Sequence, residues 1–92
     1  MAERFVELSG IKISREKQMA IYGVCRNYKR ERRETQETIR ALCAEIGGRE
    51  WGRALFAYLT TGITAQGAMG KYRIPERVLA DMRREFYRRW PL

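Results

Sequence analysis

The residues TAQGAMGKYRIPERVLADMRREFYRRW, Thr64 to Trp90, decide the fold. In order they predict a short helix, a tight turn and a longer basic helix. Thr64 is placed to cap the short helix, whose Ala68, Met69 and Tyr72 share one face. In Ile74-Pro75 the proline ring disfavours α geometry in the residue before it, while its own fixed φ suits a first helical position. Beyond it, Val78, Leu79, Met82, Phe86 and Trp90 recur at helical spacing. The opposite face carries Arg77, Asp81, Arg84 and Arg88 at i, i+4, i+7 and i+11. A second helix held by apolar residues and offering arginines outward is what a DNA-reading helix-turn-helix requires.

Upstream, the pattern stays helical. Ser14 suits an N-cap, and a first helix is expected from about Arg15 to Arg30 with Met19, Tyr22, Cys25 and Tyr28 as its apolar stripe. The charged run from Lys29 to Glu34 leaves two forms open: one helix from Ser14 to Ile46, or a break near Arg33, which is favoured, with Thr35 capping a second helix. There Ile39, Leu42, Cys43 and Ile46 follow the i, i+3, i+4, i+7 pattern. Gly47-Gly48 ends that helix. A third runs from about Arg49 to Thr60, with Trp51, Leu55, Phe56, Tyr58 and Leu59 as its apolar face, and Gly62 stops it. Residues 1–13 differ in character: Phe5, Val6, Leu8, Ile11 and Ile13 flank Ser9-Gly10, as in a short β-hairpin or an extended arm packed on the helices. The expected architecture is one all-α domain over residues 1–92, a bundle of four to five helices with a C-terminal helix-turn-helix over 64–90.

Ninety-two residues with 45% apolar and 11% aromatic side chains suffice for one modest core. The formal net charge is +8, and most of the positive charge is arginine, whose planar fork pairs with phosphate or guanine edges. The opening with Glu3 and Arg4 has no apolar run, so no secretory leader is expected. The longest uncharged stretch, Ala54 to Gly70, holds three threonines, a glutamine and three glycines, too polar and broken to span a bilayer. No membrane partner is expected, and the cytoplasm of a bacterial host is the expected compartment. Cys25 and Cys43 suit small core hydrophobes there.

Histidine is absent, which removes histidine acid–base chemistry and histidine metal ligation. Glu31, Glu34, Glu37, Glu76 and Glu85 sit beside arginines at spacings where helical ion pairing is their ordinary role. Gly67-Ala-Met-Gly70 lacks the spacing and Lys-Ser/Thr ending of a phosphate-binding loop. No enzyme, cofactor or metal site is expected.

Two basic groups stand out. Lys71, Arg73, Arg77, Arg84, Arg88 and Arg89, with Asp81 and Arg83 among them, form a candidate nucleic-acid-binding set; Asp81 would orient an arginine or accept from a cytosine amino group. Arg26, Lys29, Arg30, Arg32 and Arg33 form a secondary patch, either a phosphate-contacting face or a solvated surface with internal glutamate pairs. Tyr72, Tyr87 and Trp90 suit base stacking or core packing, and their helical register favours packing.

Ala68 to Phe86 resembles the helix-turn-helix of sigma-factor region-four-like proteins. It looks particularly like that of small late-gene and autolysin-type transcriptional regulators carried by phages and mobile elements of Gram-positive bacteria. Met69 and Tyr72 on the first helix, Ile74 in the turn, Leu79 and Met82 on the second helix and the ending Arg83-Arg84-Glu85-Phe86-Tyr87 carry the resemblance. Arg73 stands where that motif usually has glycine, and Met69 where a small residue is usual. The resemblance implies a DNA-binding transcriptional regulator.

Such a regulator would turn Arg77, Asp81 and Arg84 to the major groove and hold phosphates with Lys71, Arg73, Arg88 and Arg89. A domain this small reads few base pairs, so a homodimer on two half-sites of double-stranded DNA is expected. The alternative is a non-catalytic phage anti-defence inhibitor, of anti-CRISPR type, that grips a host protein or protein–nucleic acid complex. A regulator shifts duplex DNA at low salt and loses it as salt rises; an inhibitor co-purifies with one host complex.

Overall fold

The structure, a computed structural model, describes Phe5 and residues 7–91. Four α-helices carry the chain: α1 (Arg15–Arg26), α2 (Arg33–Thr60), α3 (Ala65–Tyr72) and α4 (Glu76–Arg89), with a 3-10 turn at Tyr28–Arg30 between the first two. No strand forms among the described residues. Residues 7–13 form an irregular arm with no strand pairing, and residues 1–4 and Val6 of the expected arm or hairpin lie outside the described residues.

Ser14 caps α1 through its hydroxyl, which accepts from the Lys17 amide at 3.2 Å. The helix ends at Arg26, four residues before the expected limit, because Asn27 leaves helical geometry and the chain tightens into the 3-10 turn. The apolar stripe is also rotated. Met19 is 49% exposed, and the buried face is Gln18, Ile21 and Cys25. Gln18 explains the rotation: its Oε1 accepts the Leu8 amide at 2.7 Å, and its Nε2 donates to the carbonyls of Ile13 at 3.0 Å and Leu8 at 3.4 Å. A glutamine with its bonds made is tolerated in a core position, and here it ties the arm to α1.

The break before α2 falls at residues 27–32, so a single helix from Ser14 to Ile46 does not form. α2 begins at Arg33 from an extended Arg32, and Thr35 is buried inside the first turn rather than capping it. Within α2, Gly48 sits at φ 62, ψ −159, a conformation open essentially to glycine, and divides the helix into residues 33–47 and 49–60. The second part turns back beside the first, bringing Gly52 against Cys43 and Ala44.

One core unites these elements: Ile21 and Cys25 from α1, Ile39, Leu42, Cys43, Ala54, Leu55 and Leu59 from α2, Ala68 from α3, and Leu79, Met82, Phe86 and Tyr87 from α4, closed by Trp90. α4 packs mainly on α2. Trp90 is buried with its ring 5.6 Å from that of Phe86 and tilted by 33°, and Tyr87 is fully buried, so both aromatics are core residues. No helix among the described residues is long and apolar enough to cross a membrane.

Candidate nucleic-acid interface

α3 and α4 build the site. The Thr64 hydroxyl accepts from the Gly67 amide at 3.0 Å and starts α3, and Ala68 is its fully buried contact with the core. α3 stops at Arg73, whose φ 55 and ψ 39 are left-handed; it is the one described non-glycine residue with positive φ. Such a residue is the usual device for ending a helix and redirecting the chain. Ile74 follows at 2% exposure, pinning the turn to the core, and the extended Pro75 opens α4.

Leu79, Met82 and Phe86 turn α4 inward, so Arg77, Asp81, Arg84 and Arg88 lie on its outer side. The helix brings these four together as the spacing predicts, but they are not equivalent. Arg77 is exposed and has no ion-pair partner among the described residues. Arg84 reaches Asp81 at 3.8 Å, and its Nε donates to the Ser9 carbonyl at 3.4 Å, leaving the side chain 33% exposed. The arm therefore touches this face, a contact between residues 75 positions apart.

Arg88 and Arg89 converge on Glu85, at 3.5 and 2.7 Å, and Arg89 lies 3.9 Å from Glu45 of α2. The hydrogen bond from Arg89 holds the Glu85 carboxyl below its usual range. These pairs are exposed and weak, so phosphates can compete for the guanidinium groups. Lys71 and Arg73 are exposed at the end of α3, the Lys71 ammonium 5.4 Å from the Tyr72 ring centre. Arg83 points elsewhere: its Nη1 donates to the Tyr58 hydroxyl at 2.7 Å, and its guanidinium lies over the Tyr58 and Tyr87 rings.

The secondary patch divides. Arg26 donates to the Tyr22 hydroxyl at 3.0 Å, and Arg33 pairs with Glu37 at 3.1 Å. Lys29, Arg30 and Arg32 are exposed on the turn between α1 and α2. Arg40, Arg49 and Arg53, outside both sequence-derived groups, edge a cleft between the two parts of α2. The i, i+4 spacing of Arg49 and Arg53 was a local signal for a shared face; their meeting with Arg40 depends on the turn at Gly48.

Cys25 and Cys43 are buried and unbridged, and burial pushes both thiols up, Cys43 to about 12. Among the described residues no three metal-ligand side chains come together. Comparison with known families, curated proteins and solved structures gave no match, so the geometry alone bears on function.

Proposed function

We propose that this chain is a small, non-enzymatic DNA-binding protein in which α3, the turn at residues 73–75 and α4 form a helix-turn-helix, acting as a transcriptional regulator of phage or mobile-element type. The observation that carries the reading is the turn itself. A left-handed Arg73 and a buried Ile74 join a capped eight-residue helix to a longer one with an arginine-bearing outer side. In this reading α4 enters the major groove, with Arg77, Asp81 and Arg84 toward base edges. Lys71, Arg73, Arg88 and Arg89 hold phosphates and set the register. A homodimer would supply two half-sites, and the net charge of +8 would draw it to DNA.

The test begins with selection of a preferred duplex from a random pool, followed by binding titrations at several salt concentrations. Arg77→Ala and Arg84→Ala are each expected to cost about 1–3 kcal/mol against the preferred site and to relax discrimination at the contacted positions. Arg88→Ala is expected to weaken binding similarly across sequences and to reduce the salt slope by about one. If both base-edge variants stay folded and bind every duplex as the parent does, the helix-turn-helix reading fails. Co-purification with one host complex would then favour the inhibitor function.

A further inference from the structure

Two concave surfaces adjoin on α2, away from the outer side of α4. The first is the cleft between the two parts of α2, about 570 Å³, edged by Arg40, Arg49 and Arg53 with Gly52, Phe56 and Tyr72 in its wall. The second, about 560 Å³, is bounded by Tyr28, Lys29 and Arg30 and shares Phe56 and Thr61 with the first. None of Arg77, Asp81, Arg84 or Arg88 lines either one.

Their chemistry is uniform. Lys29, Arg30, Arg40, Arg49 and Arg53 are exposed, and none has an ion-pair partner among the described residues. Tyr28, Phe56 and Tyr72 are half-buried, so their rings are anchored yet reachable. Tyr28 of the second hollow meets the shared Phe56 edge-on at 4.9 Å, which holds the two rings against each other. Gly52 brings backbone to the surface of the first hollow, where a Cβ would crowd the Cys43 carbonyl at 3.3 Å.

We propose that the two hollows form one track for a single nucleic-acid strand, separate from the α4 face. Cations along a groove follow a phosphate backbone, while half-exposed aromatic rings offer stacking surfaces that accept any base. Each hollow falls within the size range of small-molecule sites. Two of them sharing Phe56 suit consecutive nucleotides better than one mononucleotide. A duplex keeps its bases stacked inside and offers such hollows only its phosphates, whereas a single strand can place its bases in them.

Fluorescence anisotropy of the full chain with labelled oligo(dT) and oligo(U) tests the track. Saturable binding of either strand at low salt is expected. The triple variant R40A/R49A/R53A changes only exposed side chains; it should weaken binding at least about tenfold and flatten the salt slope by about two. Phe56→Leu keeps apolar bulk and removes the ring, and a loss of about fivefold or more is expected. R40A/R49A/R53A should leave affinity for the preferred duplex unchanged, so failure of the α4 reading and failure of the track are separable. The track is overturned if neither strand binds, or if the triple variant, folded by circular dichroism, binds both as the parent does. Thymidine monophosphate displacing the strand equally well per nucleotide would also overturn it.

Discussion

A Cβ on Gly47 would lie 2.5 Å from the backbone nitrogen of Gly52, so the turn within α2 brings main chain against main chain. Gly47→Ala therefore meets an atom that no rotamer change can move. It is expected to destabilise by roughly 1–3 kcal/mol, in the manner of overpacking. Gly23→Ala is the control. Gly23 lies within α1 with nothing within 4 Å of the added carbon, and alanine there should stabilise by roughly 0.5–1 kcal/mol. Denaturant melts of the two variants check the contrast; equal midpoints would contradict the close approach.

Arg73 sets stability against charge. Its left-handed backbone costs roughly 1 kcal/mol or more relative to glycine. Arg73→Gly should raise the melting temperature while weakening duplex binding and lowering the salt slope by about one. Stabilisation with unchanged DNA affinity would remove Arg73 from the phosphate contacts.

Alkaline stability follows from three buried acids. Burial pushes the Tyr87 hydroxyl from its ordinary 10.0 to about 12 and Cys43 from 9.0 to about 12, and it raises Cys25 as well. A raised folded-state value means the neutral form is the one the fold favours. The stability is fully present below the unfolded values and is lost as pH rises from about 9 through about 12. Urea midpoints across that range should fall continuously, and less steeply for Cys43→Ala. A midpoint that rises above pH 10.0 would contradict the burial of these groups.

Much of the fold is legible locally. Thr64, Gly48, Gly62 and Pro75 act through local chemistry that needs no distant partner: Thr64 starts α3 with its hydroxyl, Gly48 marks the turn inside α2, Gly62 follows its end, and Pro75 precedes α4 as an extended cap rather than as its first residue. The α1 face was less legible because a polar residue occupies a core position: Gln18 is buried by its bonds to Leu8 and Ile13, which periodicity in hydrophobicity cannot register. The start of α2 shifted for a related reason. Thr35 looks like a cap, yet burial claims it, and Arg32 enters the helix with no side-chain cap.

The candidate site divides in the same way. That Arg77, Asp81, Arg84 and Arg88 share one side of α4 follows from helical spacing alone. That Arg84 meets Ser9, and Arg89 meets Glu45, depends on tertiary packing. The arginines of the α2 cleft come together only once the chain doubles back at Gly48.

The arm is secured unequally along its length. At Leu8 it is clamped by the buried Gln18, while at Ser9 it rests on Arg84 through one exposed bond of 3.4 Å. Its openings should therefore be graded, with the outer contact parting often and the inner clamp seldom. The Leu8 amide would then exchange its hydrogen far more slowly than exposed amides near it, and Arg84 would be released without unfolding anything beneath it. In the proposed complex with DNA, a side chain held so lightly would serve as a reserve cation, engaged at rest and recruited by a stronger acceptor.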